Sequence, residues 1–208
     1  MATQQQQQIA ITINDLYLDS KHDYLKLMKG VAKSILRPMQ PKDFKEAYLS
    51  ISKEQGEDLK LLITKNNYKH IVEFGTSFGI STLFMAQAAL ESGGNIITTE
   101  LIASKAQKAI ENFKLAGVYH LIDVRIGNAL DTLKNYNGPV DLLLLDGWKD
   151  LYLTIFKLLE PNFHKNTMVY VDNANMSDTQ VFLKTISKNK GYNFESKNNG
   201  KVVLITLK

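Results

Sequence analysis

Val140-Asp141-Leu142-Leu143-Leu144-Leu145, followed at once by Asp146-Gly147-Trp148-Lys149-Asp150, decides the fold. A strand that faced water on one side would alternate apolar with polar residues, whereas a near-continuous apolar run suits a strand in a parallel sheet covered on both faces. Working outward, four more short β-type runs lie at His70 to Phe74, Asn95 to Thr99, Leu121 to Ile126 and Thr167 to Val171. Helical patterns separate them at about Ile80 to Glu91, Ser104 to Leu115, Ala129 to Asn135 and Leu151 to Leu159, with another over Asp178 to Lys188. Strand and helix in strict alternation predict a doubly wound α/β sheet. At the end of the chain, Tyr192 to Ser196 and Val202 to Leu207 flank Asn198-Asn199-Gly200, a turn signal that joins them as an antiparallel hairpin.

Upstream of residue 67 the pattern is helical. Apolar residues recur at helical spacing from Tyr24 to Leu36, where Arg37-Pro38 ends the run, and a second helix is expected over Asp43 to Leu49. A third starts at Ser52, because Ser52-Lys53-Glu54-Gln55 has the form of a capping box, and continues through Leu59, Leu62 and Ile63. The run Gln4 to Gln8 offers nothing to bury and predicts a disordered or extended tail. The expected organisation is thus a tail over residues 1–8, a helical cap over 9–66 and a core over 67–208, the last two forming one domain. The fold class is Rossmann-like: a doubly wound, mostly parallel sheet with a C-terminal antiparallel hairpin and extra N-terminal helices.

Composition narrows the chemistry. With 208 residues, 44% of them hydrophobic and 22% charged, the chain can bury a proper core. It has no cysteine, which excludes disulfides, thiolate metal sites and cysteine nucleophiles. The net charge of +4 is mild, the lysines are spread along the chain, and Arg37 and Arg125 are the only arginines. Nucleic-acid binding would cluster such charge on one face, so none is expected. Neither a secretory signal nor a membrane-spanning run is read in the sequence, and the expected location is cytoplasmic.

In an open α/β sheet, ligands bind outside the carboxyl ends of the strands. The first strand ends in Glu73-Phe74-Gly75-Thr76-Ser77-Phe78-Gly79, a glycine-rich loop that permits a close approach of backbone to ligand. It is not the dinucleotide fingerprint, since position 77 is serine and after Gly79 no glycine follows until Gly93. The second strand ends at Glu100, placed to take ribose hydroxyls or simply to cap the next helix. The fourth ends at Asp146 and the fifth at Asp172-Asn173, which gives three hard oxygen donors suited to Mg²⁺ or a similar cation. Taken one at a time, each has a structural alternative as a helix cap or turn residue. Lys149, three residues after Asp146, serves as a base only where a cation or desolvation eases loss of its proton. Trp148, the one tryptophan, can pack in the core or against an adenine ring.

These residues resemble the class I S-adenosylmethionine-dependent O-methyltransferases, specifically the cation-dependent group of catechol and caffeoyl-CoA O-methyltransferases. The resemblance covers roughly residues 50 to 208. Glu73 to Ser81 looks like that family's first cofactor motif, which implies cofactor contacts at Glu73, Gly75, Ser77 and Ser81. Glu100 matches its ribose carboxylate, with Leu101 beside it. Gly127-Asn128-Ala129 stands where the family usually has Gly-Asp-Ala against the adenine. Asp146-Gly147-Trp148-Lys149 is similar to the segment carrying a metal aspartate, an adenine-side tryptophan and the catalytic lysine. Asp172-Asn173 matches the remaining metal pair, and the stretch Leu49 to Gly56, with Ile51, looks like the one that closes over the methionine end of the cofactor. The activity implied is methyl transfer from S-adenosylmethionine to a hydroxyl of a small vicinal diol, chelated by a divalent cation such as Mg²⁺. The competing readings are a metal-independent small-molecule methyltransferase and a non-catalytic adenosine-ligand binding protein. A homodimer is also expected, because the apolar faces of the N-terminal helices demand burial.

Overall fold

The computed structural model describes residues 3–20 and 50–208. The helices expected over residues 24–36 and 43–49 lie outside the described residues. Among the latter, seven strands form one sheet: β1 (His70–Phe74), β2 (Asn95–Glu100), β3 (Ile122–Ile126), β4 (Val140–Leu145), β5 (Phe163–Val171), β6 (Tyr192–Lys197) and β7 (Val202–Leu207). Their spatial order is β3-β2-β1-β4-β5-β7-β6. The first five run parallel, and β7 is antiparallel to both β5 and β6. The Rossmann-like architecture with its C-terminal hairpin is therefore as the sequence predicts.

The leucines of β4 show why. Leu142 and Leu144 point into the apolar layer on one face, Leu143 and Leu145 into the layer on the other, and all four are fully buried. Each such side chain contributes about 1.5–3 kcal/mol of burial, which no half-exposed strand would gain. The first layer lies under α1 (Gln4–Ser20), α2 (Lys53–Asn66), α3 (Ile80–Ser92) and α4 (Ala103–Leu115). Short α5 (Ala129–Thr132), α6 (Tyr152–Leu159) and α7 (Ser177–Ile186) cover the second. Helix α3 is buried over ten of its thirteen residues because α2 and α1 pack over its outer side. Gly56 makes the α2–α3 contact possible, since a Cβ there would enter the Phe84 ring.

Three expectations need correction. Gln4 to Gln8 are not an extended tail: they open α1, so no boundary falls at residue 8. Ile9, Ile13 and Leu16 bury one stripe of that helix, and glutamine is a good enough helix former to extend it backwards. Gln5 Nε2 donates to the Gly117 carbonyl at 2.8 Å and Gln6 Nε2 to Glu91 Oε1 at 2.5 Å, fixing that turn to α3 and to the end of α4. Strand β5 begins at Phe163 rather than Thr167, across a register shift opposite Val140/Leu142. Helix α5 stops at Thr132, shorter than its apolar pattern suggests.

Strand register aligns the carboxyl ends. Phe74 pairs with Thr99 and with Leu145, and Leu145 pairs with Val171, so these strands end level at one edge. The residues just beyond, Gly75, Glu100, Asp146 and Asp172, consequently stand side by side. Backbone bonds carry the ladder one step past the strands: Gly75 N to the Thr99 carbonyl (3.2 Å), Asp146 N to that of Phe74 (3.0 Å) and Asp172 N to that of Leu145 (3.0 Å).

Candidate functional site

Two halves of that edge differ in how their acids are held. In the β1/β2 half, Glu100 Oε2 accepts from the Ser77 backbone N–H at 2.8 Å and Oε1 from that of Ile102 at 2.9 Å. Burial raises its carboxyl above the usual value, against the pull of these donors and of Lys105. Ser77 sits at φ 50°, inside the loop that Gly75 (φ 108°) opens. Lys105 reaches over the Phe78 ring, 5.2 Å from its centroid, with Nζ 3.5 Å from Ser77 Oγ. Leu101 is 55% exposed at the rim.

Glu73 does not line this surface. It is fully buried beneath the loop, where Oε1 accepts from Ser81 and Oε2 from Thr82 (2.5 Å) and Thr98 (2.6 Å). Burial raises its carboxyl, and the three hydroxyls oppose that rise. The Ser81 hydroxyl is engaged in the same cluster, so Glu73 and Ser81 act through the loop that they anchor. Asn128 caps α5, its side chain accepting from Leu130 N at 3.0 Å, and Ala129 is buried in the adjoining core.

The β4/β5 half gathers Asp146, Lys149, Asp172 and Asn173, as the sequence predicts. Asp146 Oδ1 lies 3.4 Å from Lys149 Nζ and 3.2 Å from Asn173 Nδ2. Asn173, at φ 54°, also donates Nδ2 to Asp172 Oδ2, so its amide bridges the two carboxylates. Lys149 Nζ donates to the Gly147 carbonyl at 2.9 Å and lies 5.6 Å from the Tyr152 ring centroid. Burial first, and then the charge of Asp172, push the Asp146 carboxyl well above the ordinary carboxylate range. The half-buried Trp148 sits in the same loop.

No group of three or more His, Asp or Glu converges among the described residues, so a cation here would rest on two carboxylates and one amide. That donor set fits. Two buried acids facing each other call for a positive partner, and hard oxygen ligands are what Mg²⁺ and its like prefer. A half-turn of the Asn173 amide would present Oδ1 in place of Nδ2, since the two ends are nearly the same size.

The halves touch. A Cβ on Gly75 would lie 2.7 Å from Gly147 N and 2.8 Å from the Asp146 carbonyl, and one on Gly147 would lie 2.6 Å from the Phe74 ring. Sequence reasoning missed two residues that join the helical segments to this edge. Gln55, read as the end of a capping box within the stretch Leu49 to Gly56 but given no part at the acidic cluster, donates Nε2 to Asp172 Oδ1 at 2.5 Å. Tyr17 of α1 donates its hydroxyl to the Ile51 carbonyl at 2.9 Å, beside an Ile51 side chain that is itself buried. A capping box requires Gln55 only to reach back to Ser52, and nothing local says where its other amide end points.

Fold and edge together define a glycine-loop α/β protein with an acidic cluster beside the loop. More particularly, the O-methyltransferase family model matches residues 26–188, and the chain belongs to that family. Over 130 residues it is 33% identical to a catechol O-methyltransferase of Niastella koreensis, covering 61% of this chain and 58% of that protein. Over 149 residues it is 28% identical to a caffeoyl-CoA O-methyltransferase of Petroselinum crispum, covering 64% and 61%. The chain thus spans about three fifths of the length of these relatives. The solved structure of a Bacillus cereus O-methyltransferase in complex with SAH shares the fold, with a TM-score of 0.68 at 24% identity over 76% of this chain and 83% of that one. Among the described residues, no helix is long and apolar enough to cross a membrane.

Proposed function

We propose that this protein is an S-adenosylmethionine-dependent O-methyltransferase acting on a small vicinal diol of the catechol type, held by a divalent cation such as Mg²⁺. The observation that carries the proposal is the convergence of Asp146, Asp172, Asn173 and Lys149 against the Gly75 loop, one backbone contact away. Membership of the family supplies the reaction class, and the named relatives suggest the acceptor.

Methyl transfer from a sulfonium to oxygen is an in-line displacement, so the protein must present a deprotonated oxygen along a fixed line. Glu100 takes the ribose hydroxyls, and the backbone at Gly75 and Ser77 lies along the donor, with Glu73 and Ser81 holding that loop in place. Leu101, Asn128, Ala129 and Trp148 bracket the adenine, and Ile51 covers the methionine end. Asp146, Asp172 and Asn173 hold the cation, which when bound supplies Lewis acidity toward two adjacent hydroxyls. Lys149 Nζ takes the proton that the attacking hydroxyl loses. The described helices α1 and α2 pack on α3 and share its core cluster, as a cap over the donor side would.

One observation favours the metal-independent reading: the Asn173 amide already bridges the two acids, as a purely structural network would. Turnover of a simple catechol with S-adenosylmethionine, measured by mass spectrometry with Mg²⁺ and then with excess chelator, separates the two. The cation-dependent reading expects product only with Mg²⁺. Equal product in both arms makes the acidic cluster structural.

A further inference from the structure

Resting on that reading, we infer that Gln55 is a positioning residue that couples binding of the methyl donor to binding of the cation. The short segment over residues 51–56 is tied down at several points. Its first residue, Ile51, is held from outside by the Tyr17 hydroxyl through its carbonyl. Its second, Ser52, caps α2, accepting from Gln55 N at 3.2 Å. Gln55 closes the box, its Oε1 accepting from Ser52 N at 2.9 Å. Gly56 lets α2 lie directly on the Phe84 ring. A capped first turn packed this closely moves as one piece.

The far end of that piece reaches the acid cluster. Gln55 Nε2 donates to Asp172 Oδ1, while Asn173 Nδ2 donates to Oδ2, so each oxygen of the Asp172 carboxylate has its own donor and the carboxylate plane is fixed. One turn further along α2, Asp58 Oδ2 accepts from Asn198 Nδ2 at 3.4 Å, a second tie between this helix and the turn between β6 and β7. Gln55 is the only side chain of α2 that bonds an acid of the cluster among the described residues. A donor molecule resting on Ile51 steadies the turn, the turn aims the Gln55 amide, and the amide orients the carboxylate that receives the cation. Linkage makes the effect mutual: the cation must tighten donor binding by the factor by which the donor tightens cation binding.

Calorimetric titration of MgCl₂ into the full chain, alone and saturated with S-adenosylhomocysteine, tests this without any turnover. Wild type should bind Mg²⁺ about fivefold or more tightly when S-adenosylhomocysteine is present, the lower end of measured couplings. Gln55→Ala should weaken Mg²⁺ by about tenfold, as loss of a hydrogen bond to a metal-binding carboxylate does, and bring the ratio to about 1. Ser52→Ala loses the Oγ cap but keeps the backbone N–H of residue 52 that holds Gln55 Oε1 and so aims the amide, and it should therefore lower the thermal midpoint and leave the ratio as in wild type. Gln55→Met, which keeps the side-chain length, replaces Gln55→Ala if that variant does not fold. A ratio that survives loss of the amide, or that falls equally in Ser52→Ala, overturns the inference. So does a wild type that binds both ligands independently, and the proposed function then stands. Wild type that binds S-adenosylhomocysteine but no Mg²⁺ overturns the inference together with the cation-dependent reading.

Discussion

The two halves of the ligand edge each hold a pair of acids, and they treat them oppositely. Around the Gly75 loop, Glu73 and Glu100 are satisfied from within by three hydroxyls and two backbone N–H groups. At the ends of β4 and β5, Asp146 and Asp172 face each other, with Lys149 and two amides for company. The first pair has its oxygens filled by donors from separate directions, whereas Asp146 and Asp172 are buried against each other with a single ammonium beside them, and each raises the cost of the other's charge. The β1/β2 half is thus set by hydrogen bonding, whereas the β4/β5 half is left with an electrostatic demand.

The sharpest way to break that comparison is Asp172→Ala. If the β4/β5 half exists to hold a cation, cation-stimulated kcat/KM for a catechol should fall on the order of 10³-fold, about 4 kcal/mol of transition-state stabilisation, with donor affinity changed far less. Steady-state kinetics beside calorimetry read both. Next in size is Glu100→Gln, which trades a charged acceptor for a neutral one. The expected loss is about 10- to 100-fold in S-adenosylhomocysteine affinity, the value of about 1.5–3 kcal/mol for hydrogen bonds to a charged group, with the Mg²⁺ requirement intact. A variant that lost both together would show the halves to be one site.

The smallest effect concerns pH. Asp146 holds its proton more tightly folded than unfolded, so folding takes up a proton in the window between the ordinary aspartate value and the raised one. With more protons on the folded state, stability must fall as pH rises through that window, by at most about 1.4 kcal/mol per pH unit for one group. Denaturant midpoints across that window should show the decline in wild type under chelation, and a shallower one in Asp146→Asn or with saturating Mg²⁺. An unchanged slope in Asp146→Asn would mean that proton uptake by Asp146 is not the source of the pH dependence.

How much of the fold and site was legible in the sequence depends on the range of the interactions. The β4 leucines and the residues closing each strand could be read because burial and register act locally, and parallel strands of matched length bring their ends level. The inward turn of Glu73 could not be read, because its partners come from the next helix and from β2, and a glutamate beside a glycine loop looks like a ligand contact until those hydroxyls are seen together. The glutamines at residues 4–8 misled for a related reason. They bury little themselves and are ordered by a helix whose apolar stripe begins after them. Gln55 reaches across 117 positions to Asp172, a distance over which no local pattern speaks.

The contact between Gly75 and Gly147 has a consequence for how this molecule can be altered. Neither glycine has room for a side chain, because a β-carbon on Gly75 strikes the backbone of the other loop and a β-carbon on Gly147 strikes Phe74. The two segments, more than seventy positions apart, therefore form one unit of inheritance. Chimeras with a relative's sequence should exchange them as a pair, and a library that diversifies either glycine will lose most of those members to steric failure.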